Sequence, residues 1–122
     1  TLTGTYSLAG SNAVVNENGV VGGAVASATI DLSLAGKVTA YSISGTDGQA
    51  RAFSGSCPSC TGGISLAVFA TSGIPLTGSV AGSGATGNAH GVPIGPNGKG
   101  ILSSYDLTGS GKAVTGSFLA VK

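Results

Sequence analysis

Ala24-Val25-Ala26-Ser27-Ala28-Thr29-Ile30-Asp31-Leu32-Ser33-Leu34 decides the fold. Ala24, Ala26, Ala28, Ile30, Leu32 and Leu34 fall on one side of a period-two pattern, and Val25, Ser27, Thr29, Asp31 and Ser33 on the other. Side chains of an extended chain point alternately to opposite faces, so this is a long strand with one face buried. Ala35-Gly36-Lys37 turns the chain into Val38–Ser44, where Thr39, Tyr41 and Ile43 share a face. Thr46-Asp47-Gly48 has hairpin chemistry, with Asp and Gly expected to take the positive φ of a tight turn.

The pattern continues in both directions. Gly4–Ala9 precedes it as a short strand. Gln49–Ser54 is followed by a cysteine loop, Gly55–Gly63, and then by Ile64–Thr71, in which Ile64, Leu66, Val68 and Ala70 alternate with their neighbours. Leu76–Ala81, Thr86–Ile94, a strand with Ile101, Ser103, Tyr105 and Leu107 on one face, and Ala113–Val121 complete the series. Gly82-Ser83-Gly84, Gly95-Pro96-Asn97-Gly98 and Gly109-Ser110-Gly111 supply the turns. Strands spaced so closely pair with their sequence neighbours. The expectation is an all-β fold, a small antiparallel up-and-down β-barrel of about eight strands forming a single domain over residues 1–122, with no helix longer than two turns. A closed barrel leaves no strand edge exposed, and eight strands enclose just enough room for side chains.

Composition narrows function by exclusion. Glycine, serine, alanine and threonine make up more than half of the 122 residues, and charged residues only 7%. A net charge of +1 from scattered residues gives no electrostatic footprint for nucleic acid. The sequence holds no apolar run long enough for a transmembrane helix. It begins at Thr1 without a signal-peptide pattern, as expected of a processed protein or a piece of a longer one. Titratable groups are few (Glu17, Asp31, Asp47, Asp106, His90, four lysines and Arg51), and most sit beside glycines in turns. No catalytic, cofactor-binding or metal-binding residues are assigned, and the chain is expected not to be an enzyme. An enzyme with a sparse site would need Asp106 or His90 converging in one pocket. His90, with Val92 and Ile94 on its face, is expected at the barrel rim, solvated or hydrogen-bonded, with a ligand or pH-sensing role as the alternative. Tyr6, Tyr41, Tyr105, Phe53, Phe69 and Phe118 fall one to a strand, which points to core packing.

Cys57-Pro58-Ser59-Cys60 is the sharpest local motif. A redox pair needs a helix N-terminus to lower a thiol pKa, and a metal needs further soft ligands. A disulfide needs only a turn that brings the two Cα atoms close, which Pro58 favours. The expectation is a structural Cys57–Cys60 disulfide, and with it an oxidising compartment.

Several segments resemble a known family: Gly4-Thr5-Tyr6-Ser7-Leu8, the 24–34 strand, the cysteine loop, His90-Gly91-Val92, Gly95-Pro96-Asn97, Ser104-Tyr105-Asp106-Leu107 and Val114-Thr115-Gly116-Ser117-Phe118. Together they look like the C-terminal β-barrels of FecR-type envelope proteins, which are similar in turn to the small barrel lobes of transferrin-binding-protein-like surface proteins. Ile101-Leu102-Ser103-Ser104-Tyr105 departs from the Gly-Leu-Ala-Tyr-like segment usual there. The resemblance implies a location in the periplasm, at the cell surface or outside the cell. It also implies a binding or scaffold role with a protein partner or self-association, and it carries over no catalytic residue, cofactor or small ligand. The alternative is a structural subunit of an extracellular filament, pilus or surface array, in which an unpaired Thr1–Ala9 segment donates a strand to a neighbour.

Overall fold

A computed structural model describes residues 3–122. Ten strands run in the order β1 (Gly4–Ser11), β2 (Val14–Asn16), β3 (Val21–Leu32), β4 (Lys37–Asp47), β5 (Ala52–Ser56), β6 (Ile64–Ser65), β7 (Ile74–Val80), β8 (Ser83–Ile94), β9 (Gly100–Gly109) and β10 (Lys112–Val121), with one short helix, α1 (Leu66–Ala70). β2 continues the lane of β1 between β3 and β10, and β6 continues the lane of β5 along β4. The lanes are therefore eight, each antiparallel to the next, and β1 closes on β10. This is the expected up-and-down barrel. The Thr1–Ala9 segment, where described, is not an unpaired donor: β1 bonds to β3 on one side and β10 on the other, while residues 1 and 2 lie outside the described residues.

Several expectations need correction. In β3, Val25 is buried and Ala26 exposed, whereas Ala28, Ile30 and Leu32 are buried as expected. Val25 pairs with Gly45 and Ser27 with Ser44, so Ala26 is an extra, bulged residue. One extra residue reverses which parity faces the core. Leu34 lies beyond the strand and is 93% exposed. Secondly, Ile64–Thr71 is not a strand: after β6 the chain coils into α1, with the Ser65 side chain accepting a hydrogen bond from the Val68 N–H. A short apolar run fits a buried strand and a buried helix equally, and here Ser65 supplies the N-cap. Thirdly, at the β4–β5 turn the positive φ falls on Ala50, not on Asp47 or Gly48. Asp47 serves the turn as an acceptor instead.

Other turns follow their chemistry. Asn97 and Gly98 take the left-handed conformation as expected. The β7–β8 turn is Ala81-Gly82, one residue before the expected triplet, with both central φ values positive as a two-residue hairpin requires.

The barrel is filled. Tyr6, Tyr41, Phe53, Phe69, Tyr105 and Phe118 are all buried. Phe53 stacks on Tyr105 at 5.7 Å between ring centroids, Tyr105 and Phe118 are 6.2 Å apart, Phe118 and Tyr41 6.1 Å, and Phe69 meets Tyr41 edge-on at 5.9 Å. Phe69 comes from α1, not from a strand, and stops the mouth at which β3, β8 and β10 end. Gly91 on β8 makes room for it, since a Cβ there would fall 2.5 Å from the Phe69 ring.

The outer wall is different in kind. Thr29, Ser42, Ser56, Thr77, Thr86 and Thr108 are cross-strand partners in succession, giving one row of hydroxyls across six lanes.

Candidate functional site

Each end of the barrel is closed by its own chemistry. At the end opposite α1, Asp47 is buried. Its Oδ1 accepts hydrogen bonds from the Gln49 and Arg51 N–H groups, both at 2.9 Å. Its Oδ2 accepts from Arg51 Nε at 2.7 Å and from Asn16 Nδ2 at 3.1 Å. The Arg51 guanidinium also forks onto Glu17 at 2.7 and 2.9 Å, and Glu17 accepts the Ala113 N–H. Burial works to raise the Asp47 carboxyl, but these hydrogen bonds outweigh it and hold it down at about 2. Hydrogen bonding from Arg51 holds Glu17 at about 2 as well. The groups satisfy one another, and the network ties the β2–β3 and β4–β5 turns to the start of β10.

At the α1 end, Cys57 and Cys60 form the expected disulfide, with Cα atoms 5.4 Å apart. The pair sits in an excursion that interrupts one lane between β5 and β6. Both cysteines are buried against the core, and the Cys57 N–H donates to the Tyr41 carbonyl. Closing so short a ring removes little entropy from the unfolded chain, about 2 kcal/mol. A Cys57→Ala, Cys60→Ala variant is expected to fold and to lose no more than that in a thermal melt. Intact mass after alkylation without reductant should show no modified thiol in the parent protein.

The wall of β8, β9 and β10 holds the candidate binding site, a shallow groove of about 310 Å³ running from α1 to the β1–β2 junction. Register builds it as two rows. His90, Ser104 and Ser117 are successive cross-strand partners, and Asn12 Nδ2 donates to Ser117 Oγ at 2.7 Å, extending the polar row. Beside it run Val92 and Leu102, whose row continues along the outer wall, beyond the groove, through Leu119 to Gly10. Leu102 and Val92 are among the exposed large apolar side chains. His90 thus lies on the outer wall below the rim, with Val92 and Ile94 on its face as expected. Its ring is packed over Gly73, where a Cβ would fall 2.8 Å from Nε2.

His90 and Asp106 do not converge in the groove. Asp106 lies one row away from His90 on the same face, and its Oδ1 is taken by the Asn88 N–H at 2.9 Å. Asp106 does not line the groove, and the His90 ring bonds to neither Ser104 nor Asp106. Among the described residues no three of His, Cys, Asp and Glu come together as metal ligands. Sequence reasoning missed the groove because each strand contributes only one polar and one apolar residue, and their meeting depends on register across four lanes. A signal was present in Val92, Ile94 and Leu102, which fall on the outward parity of strands whose inward parity is already apolar. Comparison with protein-family models, curated proteins and solved structures gives no match for this chain.

Proposed function

We propose that the chain is a non-enzymatic β-barrel domain of the cell envelope or extracellular space that engages a protein partner through its outer wall. One observation carries this: the interior is packed with six aromatic rings, while the wall of β8–β10 exposes apolar side chains beside a polar row. Exposed apolar side chains rimmed by hydrogen-bonding groups suit a protein interface. The barrel also inverts the pattern of a transmembrane barrel, which is apolar outside and polar inside, because its hydroxyl rows face outward and its aromatics inward. The disulfide supports an oxidising compartment, and the FecR-type segments support the same address. The engagement of both Glu17 and Asp47 by Arg51, and the separation of His90 from Asp106, support a role without catalysis.

The exposed Val92–Leu102 pair also favours the second reading, copies packed side by side in a filament or surface array. Light scattering over a wide concentration range separates the two. A monomer at all concentrations is the expected result. Ordered polymers in micrographs, abolished by Leu102→Glu, would replace the first reading by the second.

A further inference from the structure

We infer that the α1 end of the barrel is a docking surface for an anionic lipid bilayer, entered by Leu34. Charge is divided unequally between the two ends. Arg51 and Lys112 stand at the far end with Glu17 and Asp47, and both ion pairs are there. Lys37, Lys99 and Lys122 stand at the α1 end, where Asp31 is the carboxylate on the adjoining strand. Lys37 lays its stem over Gly63 beside the cysteine loop, and Lys122 holds its ammonium 5.7 Å from the centre of the Tyr6 ring.

Apolar side chains share this end. Leu34 is 93% exposed, and Val68 on α1, Ile94 and Val121 are exposed at the same end of the barrel. Leu34 is not on a loose loop. Its turn is tied by the Ser33 N–H to the Lys37 carbonyl, the Gly36 N–H to the Ser33 carbonyl, and the Lys37 N–H to Ser33 Oγ. A leucine 93% exposed on a hydrogen-bonded turn, at the end of the barrel that carries three lysines, matches a soft interface, where the leucine enters the acyl boundary and the ammonium groups meet anionic headgroups. Charge complementarity selects the anionic surface over the neutral one.

The test is sedimentation of the full chain with vesicles of phosphatidylcholine alone and with vesicles containing phosphatidylglycerol. Binding is expected only to the second, and it should fall as salt is raised. Lys37→Glu with Lys99→Glu should weaken it by at least about fivefold for each lysine lost. Leu34→Asp should weaken it about tenfold or more while leaving the thermal melt unchanged. The chain has no tryptophan, so Leu34→Trp places a single reporter at the tip. Its emission should shift to the blue with anionic vesicles and not with neutral ones. Failure to sediment with anionic vesicles overturns the proposal, as does binding untouched by Leu34→Asp. A dimer that Leu34→Asp dissolves, without vesicle binding, would also overturn it by assigning the tip to a second copy.

Discussion

Replacing Asp47 with alanine is expected to cost about 3 kcal/mol of folding stability, lowering the melting temperature by roughly 10 °C. The carboxylate is buried and accepts four hydrogen bonds, two of them from backbone N–H groups of its own turn. Alanine leaves those donors without a partner. It also removes one of the two acceptors that fix Asn16, whose own Oδ1 holds the N–H groups of Asn18 and Val20 in the β2–β3 turn. The loss therefore spreads to a loop distant in sequence. Asp47→Asn keeps an acceptor oxygen and should cost less.

The same network fixes the acid limit. Asp47 and Glu17 titrate at about 2 in the folded protein and near 4 when unfolded. Groups with depressed folded values contribute fully above their unfolded pKa, and that contribution disappears as pH falls through the folded pKa. Melting temperatures should accordingly be level above about pH 5 and decline between pH 4 and 2. Asp47→Asn should make the decline shallower, and a decline of unchanged depth would remove Asp47 from the account.

Phe69→Ala should have the larger effect, about 3–5 kcal/mol, because it empties a fully buried ring site that the strands, fixed by their ladders, cannot close. The edge-on contact with Tyr41 goes with it. The mouth of the barrel would then admit water and hydrophobic dye, so dye fluorescence should rise in a protein that still melts cooperatively. Gly91 provides an internal control. In the parent, Gly91→Ala drives a methyl group into the Phe69 ring; beside Phe69→Ala that methyl group enters the vacated space. The two substitutions should therefore cost less together than the sum of each alone. Strict additivity would mean that Phe69 does not occupy the site in solution.

How much of this was legible in the sequence depends on where regularity breaks. Ile101, Ser103, Tyr105 and Leu107 face inward as the alternation predicts, because β9 pairs without interruption along its whole length. Strict alternation puts Val25 on the wrong face because a bulge at Ala26 changes parity, and an alanine among small residues gives no sign of one. Alternation also fails at Leu66–Ala70 because five apolar residues fit either period, and the deciding interaction is one serine hydroxyl. Asp47 was legible as a turn residue. Its role as the hub of a network was not, since Asn16 reaches it, and Glu17 reaches its partner Arg51, from another turn more than thirty residues away in each case. The disulfide was legible because it is local; the groove was not, because it is built wholly from pairings between strands.

Closure of the sheet also sets the order in which this protein can be made. Ser7 bonds into the ladder opposite Val121, so the first strand and the last are direct neighbours although nearly the whole chain lies between them. Each intermediate hairpin can form as soon as its two strands exist, since their pairings are local. The seam cannot. Until the final strand has emerged, β1 and β9 each present an open edge, the condition under which sheets recruit other chains. The seam itself is short and irregular, with an extra residue at Ala9. A chain elongating from its N-terminus therefore keeps the barrel open-edged until β10 arrives, and deleting β10 would remove the strand that seals both edges at once.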